Sequence, residues 1–323
     1  MKYSVIVPLY NKEQYIERTL KSIFAQTCAD YELIVVDDGS TDQSYSIACK
    51  TVGTENPNHQ VITQKNSGVA AARNKGAAMA KGDYICFLDS DDWWEPQFLQ
   101  EIDRLTTDFP DAGLYGTSFY IVKNGHRRIA PIGFDNNFER GYINYCQTYA
   151  RTLCMPISSS SVAIPRTLFN QTGGFRTHLT LGEDFDLWIK LATAHPVAMV
   201  NKPLANYFQD LPQGTRATRR IHNPQQHMLW NLDYLADKEA ANPDLKLLID
   251  LLRCSGLRRY YLSTAYHQQA LEQLAKIDWS RMPRSAYKQY HSPLWIQRAK
   301  YMAKNTASAI KQRLIRLTRK KAA

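Results

Sequence analysis

The chain has 323 residues, 44% of them hydrophobic, which is enough for one large domain or a domain with an extension, and ample for a core. Its six cysteines lie far apart, with no CxxC pair and no histidines at zinc spacing; this excludes a disulfide scaffold or a zinc module and fits reduced thiols in a cytoplasmic protein. The net charge of +10 is uneven: residues 1–210 carry 19 Lys and Arg against 23 Asp and Glu, residues 211–323 carry 21 against 7, and no acidic residue follows Asp278.

Lys2–Val7 reads as a strand stopped by Pro8, not as a signal peptide, and no apolar run is long enough to span a bilayer. Tyr15, Ile16, Leu20, Ile23 and Phe24 then recur at helical spacing. Tyr31–Val36 is a second buried strand, ending in Asp37-Asp38-Gly39-Ser40-Thr41-Asp42. A helix over Ser44–Thr51, a short strand at Val61–Thr63 and an Ala-rich helix over Gly68–Met79 follow. Tyr84–Leu88 is a buried strand that runs straight into Asp89-Ser90-Asp91-Asp92. Alternation of this kind signals βαβ units and a Rossmann-like, mainly parallel sheet flanked by helices. Ser158–Ser161 reads as the start of a strand continuing through Val162-Ala163-Ile164, and Phe185–Ala194 as an amphipathic helix opened by Gly182-Glu183-Asp184. Beyond residue 210 the pattern turns helical and basic, with helices expected over His222–Asp237, Pro243–Tyr261 and Ala265–Ile277. The expected division is therefore a domain over 1–210 and a helical basic C-terminal extension over 211–323.

Three strands deliver polar residues at their C-terminal ends: Tyr10-Asn11, Asp37-Asp38 and Asp89-Ser90-Asp91. In an open α/β sheet, ligands bind in the crevice beyond those ends. Clustered carboxylates repel one another, and a hard divalent cation with oxygen ligands, shared with substrate phosphates, is the usual compensation. The other reading of Asp89–Asp92 is an exposed turn, with Ser90 and Asp92 capping a helix that begins at Trp93. Asp37-Asp38-Gly39-Ser40 can likewise be a cap, Tyr10-Asn11 a plain turn, and Arg73 a surface side chain laid along its helix.

Five blocks in order carry a family resemblance: Ser4–Asn11, Val36–Asp42, Asn66–Gly76, Phe87–Asp92, and Gly173-Gly174-Phe175 with Gly182–Trp188. Together they resemble family 2 glycosyltransferases of the GT-A fold, from residue 3 to about residue 195. The resemblance implies an inverting transfer of a sugar from a nucleotide-diphosphate sugar, with a UDP-sugar the expected donor. It implies that Pro8, Tyr10, Asn11 and Asp38 hold the nucleoside, that Arg73 lies near its phosphates or base, and that Asp89 and Ser90 contact ribose and sugar. Asp91 would bind Mn²⁺ or Mg²⁺ bridging the diphosphate, with Asp92 supporting it or capping a helix. Asp184 matches the family's base position and Glu183 is the reserve; a helix N-terminus keeps such carboxylates ionised. His222 and His227 are minor candidates for a late metal ligand. Helix capping alone also accounts for Glu183 and Asp184.

The alternatives are a nucleotidyltransferase, which would carry a Gly-rich basic loop where this chain has Pro8-Leu9-Tyr10-Asn11, and a non-enzymatic membrane or nucleic-acid binder driven by the basic tail. From Leu294 to Leu317, Trp295, Ile296, Ala299, Met302, Ala303, Ala309, Ile310 and Leu317 share one face amid Lys and Arg, interrupted by Thr306 and Arg313. That composition suits an interfacial helix on an anionic membrane, and no nucleic-acid module is recognisable. A solvated basic helix packed on the domain is the plainer reading of the same stretch. The expected setting is the cytoplasm, at most peripheral at the cytoplasmic face of the inner membrane. The expected acceptor is a glycan or lipid-linked hydroxyl in bacterial surface polysaccharide or lipopolysaccharide synthesis.

Overall fold

The computed structural model describes residues 1–54, 56–210, 221–301 and 303. The chain divides into two compact units, Met1–Leu248 and Ile249–Ala323, a division later than the expected 210/211 boundary.

In the first unit the opening βαβ units form as the apolar pattern dictates. Strand β1 (Tyr3–Leu9) is buried along its whole length and pairs in parallel with β2 (Tyr31–Asp37). Between them, α1 (Ile16–Phe24) buries Ile16, Thr19, Leu20 and Ile23, one stripe at helical spacing. After α2 (Ser44–Val52), β3 (His59–Thr63) adds to the outer edge of β2. Helix α3 (Val69–Met79) returns the chain across the sheet, and β4 (Tyr84–Phe87) pairs in parallel with the other side of β1. The order β3-β2-β1-β4 thus reverses direction between β1 and β4, which is where an α/β sheet opens a ligand crevice.

Small residues set how closely α3 approaches. An added Cβ at Gly76 would lie 2.5 Å from Ile6 Cγ2 and 3.3 Å from Val36 Cγ2, so the helix rests directly on β1 and β2. Gly82, in the turn before β4, is equally confined: a Cβ there would stand 2.7 Å from the Tyr3 carbonyl carbon.

Beyond β4 the sheet is mixed. Two-residue β5 (Trp93–Trp94) precedes α4 (Phe98–Asp108), and β6 (Leu114–Lys123) forms a hairpin with β7 (His126–Ile129). Strand β8 (Arg140–Ile143) leads to α5 (Tyr145–Thr152), then β9 (Val162–Pro165) runs antiparallel to both β4 and β6. Helices α6 (Arg166–Thr172) and α7 (Glu183–Ala192) precede β10 (Val197–Phe208), which is parallel to β6 and antiparallel to β5 and β8. The expected parallel character therefore holds in the half built by residues 3–87, while the far half is predominantly antiparallel.

Three local expectations are corrected. The helix expected from Trp93 is a short strand, with helix resuming at Phe98. Ser159–Ser161 is a 3₁₀ turn, because Ser158 and Ser161 bond each other's backbone in a reciprocal cap, and only Val162–Pro165 is strand. Residues 222–237 form three 3₁₀ turns before α8 (Ala236–Ala241), broken by Pro224 and by Asn and His side chains that cap their own backbone.

Helix α9 (Pro243–Gly256) carries the chain into the second unit, followed by α10 (Arg258–Leu262), α11 (His267–Leu274) and α12 (Arg284–His291). Its core gathers Tyr260, Tyr261, Leu274 and Tyr290, with the Tyr290 hydroxyl donating to the Cys254 carbonyl at 2.6 Å. Residues 294–301 are helical and Trp295 is 73% exposed; the rest of the expected 294–317 stretch, apart from residue 303, lies outside the described residues. Among the described residues no helix is long and apolar enough to cross a membrane.

Candidate active site

A crevice of about 350 Å³ opens at the C-terminal ends of β1 and β4, within the range of small-molecule sites. Pro8 and Tyr10 from the end of β1, Asp38 from the end of β2, and Asp89, Ser90 and Asp91 after β4, all expected at strand ends, line it together with Leu9. It is completed by Lys12 and by the start of α3, with Asn66, Gly68, Val69 and Ala72, which the motif reading had not assigned individually.

Tyr10 is 45% exposed, leaving a ring face open for stacking. Asp38 is buried and braces the loop ahead of α3: its Oδ1 accepts from the Ser67 amide and Gln64 Nε2, its Oδ2 from the Gly68 amide, each at 2.8 Å. Asn11 does not line the crevice. It sits at φ 49° with its Oδ1 accepting the Thr41 amide, and so ties the end of β1 to the loop after β2.

Arg73 differs most from its expected surroundings. It is 2% exposed and lies between two carboxylates, with Nη2 donating to Asp89 Oδ1 at 2.6 Å and Nη1 to Glu183 Oε1 at 3.0 Å. Phe175 lies under the guanidinium, its ring centroid 5.3 Å away. Burial opposes this charge, but Asp89 and Glu183 outweigh it and hold the group above its ordinary pKa. The close seating of α3 through Gly76, one turn after Arg73, aims the arginine here. Arg73 thereby joins the aspartate loop after β4 to the N-terminus of α7, segments 94 residues apart in sequence.

At that N-terminus Glu183 is pushed up to about 7, by burial first and then by the charge of Asp184, with Arg73 opposing. Asp184 is raised as well, again by burial, while Arg73 and the Phe185 amide pull the other way. Two raised carboxyls beside one fixed cation can accept a proton near neutral pH. Gly182, at φ 83°, starts the helix; a Cβ there would strike Met228, whose amide donates to the Leu181 carbonyl. Asp186 fastens the helix through Arg176 at 2.6 Å and Lys190 at 2.8 Å.

The residues Asp89-Ser90-Asp91-Asp92 divide their work. Asp92 is buried beneath the loop, its Oδ1 accepting the Phe208 amide at 2.7 Å and its Oδ2 the Ser160 hydroxyl; it caps no helix. Ser160 in turn accepts the Asp89 amide, and Ser159 donates to Asp184 Oδ2 at 3.4 Å. The serine turn, read from sequence as strand, thus links the aspartate loop with α7. Only its run of four small hydroxyl residues hinted at this.

Asp91 faces the crevice, 9% exposed, with Lys12 Nζ 2.7 Å from its Oδ2. Its pKa is raised, by burial first and then by Asp89, against the pull of Lys12. Among the described residues no group of three or more His, Cys, Asp and Glu side chains is arranged to hold a metal ion. The carboxylate of Asp91, lining the crevice, nevertheless fits a hard cation whose other ligands are phosphate oxygens and water, and burial together with the neighbouring Asp89 gives it reason to take one. His227 Nδ1 accepts the Leu229 amide and His222 Nδ1 pairs with the Thr180 hydroxyl. Burial and the nearby His222 depress the His227 pKa to about 4.

Solved structures share this architecture. S. aureus TarS 1–349, in complex with UDP-GlcNAc, aligns with 92% of this chain and 78% of its own at a TM-score of 0.61 and 21% identity. The mannosyltransferase PcManGT from Pyrobaculum calidifontis, in complex with GDP-Man and Mn²⁺, aligns with 96% of this chain and 80% of its own at 0.54 and 19%. The fold is GT-A. Among curated proteins, glycosyltransferase GlyA of Streptococcus pneumoniae is 41% identical over 143 residues, 44% of this chain and 20% of its own length. Chondroitin synthase of Escherichia coli is 30% identical over 200 residues, 62% of this chain and 28% of its own. The chain thus spans under a third of the length of these relatives. The description "Glycosyl transferase family 2" matches residues 4–169, half of the chain, and this chain belongs to that family.

Proposed function

We propose that the protein transfers a sugar, with inversion, from a nucleoside-diphosphate sugar to a hydroxyl of a glycan or lipid-linked acceptor in bacterial surface-polysaccharide synthesis. The observation that carries this is Arg73, which joins a diphosphate-sized crevice on one side to a pair of raised carboxyls on the other. Direct displacement needs these two parts side by side and needs no nucleophilic residue of the protein.

Tyr10 would stack on the base, and Pro8 and Asp38 would bound the nucleoside. Asp89 and Ser90 would face the ribose and sugar, with Asn11 holding the loop that frames them. Asp91 would hold a divalent cation, Mn²⁺ or Mg²⁺, which when bound neutralises charge on the departing diphosphate. Asp184 would take the acceptor proton, with Glu183 sharing its field. UDP is the favoured nucleotide, on the strength of the UDP-GlcNAc complex of TarS, and a surface-polymer acceptor is supported by the teichuronic acid relative TuaG of Bacillus subtilis. We place the enzyme at the cytoplasmic face of the membrane through residues 294–323, and assign the catalytic part to residues 1–210 and the basic extension to 211–323. No nucleic-acid partner is proposed.

The test is incubation with a panel of UDP- and GDP-sugars and Mn²⁺ or Mg²⁺, with free nucleotide as readout. Slow donor hydrolysis with one of them is expected. Absence of binding to every nucleotide sugar, with and without metal, refutes the proposal.

A further inference from the structure

Lys12 belongs to none of the motifs above, yet it lines the crevice with its ammonium on Asp91. Its Nζ stands 2.7 Å from Asp91 Oδ2, both side chains are largely buried, and both line the same cavity. Its backbone is fixed separately, the amide donating to the Ser44 hydroxyl at 2.6 Å, so the side chain can re-aim without disturbing β1 or α2. An ammonium held on a carboxylate in a partly desolvated cleft neutralises that carboxylate while the site contains no ligand.

We infer that Lys12 is an exchangeable counter-ion: it holds Asp91 until the donor arrives, then turns to the diphosphate and yields Asp91 to the metal. This rests on the donor reading above and deepens it. A divalent cation arriving alone must displace Nζ from Asp91 and leave that ammonium without an anion in the cleft. A diphosphate arriving with the cation supplies the anion. Metal and nucleotide should therefore bind with positive coupling, and Lys12 should be the residue that carries it.

The experiment measures two affinities on the full chain: Mn²⁺ alone, by electron paramagnetic resonance, and UDP or GDP in EDTA, by calorimetry. Lys12→Met should bind Mn²⁺ alone about tenfold more tightly and the metal-free nucleotide about tenfold more weakly, within the usual span of coupling between sites. Lys12→Arg, which keeps the charge, should remain close to the wild type in both and guards against a folding artefact. Changes of the same sign in Lys12→Met, or no change in either affinity, overturn the exchange. So does a wild type whose nucleotide affinity is the same with Mn²⁺ as in EDTA. A wild type that binds neither nucleotide under either condition overturns the donor reading itself, a distinguishable result.

Discussion

Glu183 and Asp184 share one cation, and their titration belongs to the pair. A carboxyl raised to about 7 is protonated below that pH, so the form able to accept a proton accumulates above it. With Asp184 as base, the kcat/KM for transfer should rise with pH along a limb lying above the ordinary carboxylate range and then level off; a limb at about 7 would mark Glu183 as the base. Arg73→Met removes the cation that favours ionisation and should move this limb to higher pH, with Arg73→Lys restoring it in part; a pH–rate profile reads both. Stability runs the other way. A carboxyl whose folded pKa lies above its ordinary value of 4.5 contributes stability below 4.5, and this is lost as pH rises through about 7. The wild type should therefore lose stability relative to Glu183→Gln across that window in thermal melts. Asp184→Asn should lower kcat by a factor of about 10²–10⁴, the usual worth of a general base, while donor affinity by calorimetry stays unchanged. Retained transfer would eliminate Asp184 as the base.

At the scale of elements, α3 serves both as a packing helix and as the mount for Arg73. Its Ala- and Gly-rich composition was legible as a helix, but periodicity alone could not say that its inner face carries a buried arginine. That follows from the seat at Gly76, where nothing larger fits between the helix and Ile6. Gly76→Val should cost about 1–3 kcal/mol in urea denaturation through overpacking. It should also weaken donor binding, since any lift of α3 shifts the crevice wall formed by Val69 and Ala72. The serine turn at Ser159–Ser161 was misread because a polar run next to a strand has no period of its own. Its side chains satisfy local backbone groups and close a turn before the ladder begins.

For the molecule as a whole, the switch in strand order between β1 and β4 sets where the crevice opens, and the mixed half of the sheet brings α7 round to face it. The charge division along the chain adds a second theme. Residues 211–323 hold 21 Lys and Arg against 7 Asp and Glu, and Trp295 stands open near their end. Each basic residue near an anionic leaflet contributes about 1 kcal/mol. Deletion of residues 294–323 should abolish sedimentation with phosphatidylglycerol vesicles while donor hydrolysis persists; continued sedimentation would remove the tail as the anchor.

The sequence alone determined the βαβ opening, the family, and the strand ends at Tyr10, Asp38 and Asp89–Asp91, because buried strands and clustered carboxylates each leave a local pattern. The resemblance set Asp91 apart as the metal ligand but left Asp92 open between a supporting role and a helix cap. Tertiary structure decided that, placing Asp92 under the Phe208 amide at the end of β10 and Asp91 against Lys12 in the crevice. It also made Arg73, expected near the donor's phosphates or base, the bridge between Asp89 and Glu183. Pairings of this kind join residues scores of positions apart, and only the packing of α3, the serine turn and α7 around one cleft brings them within reach of one another.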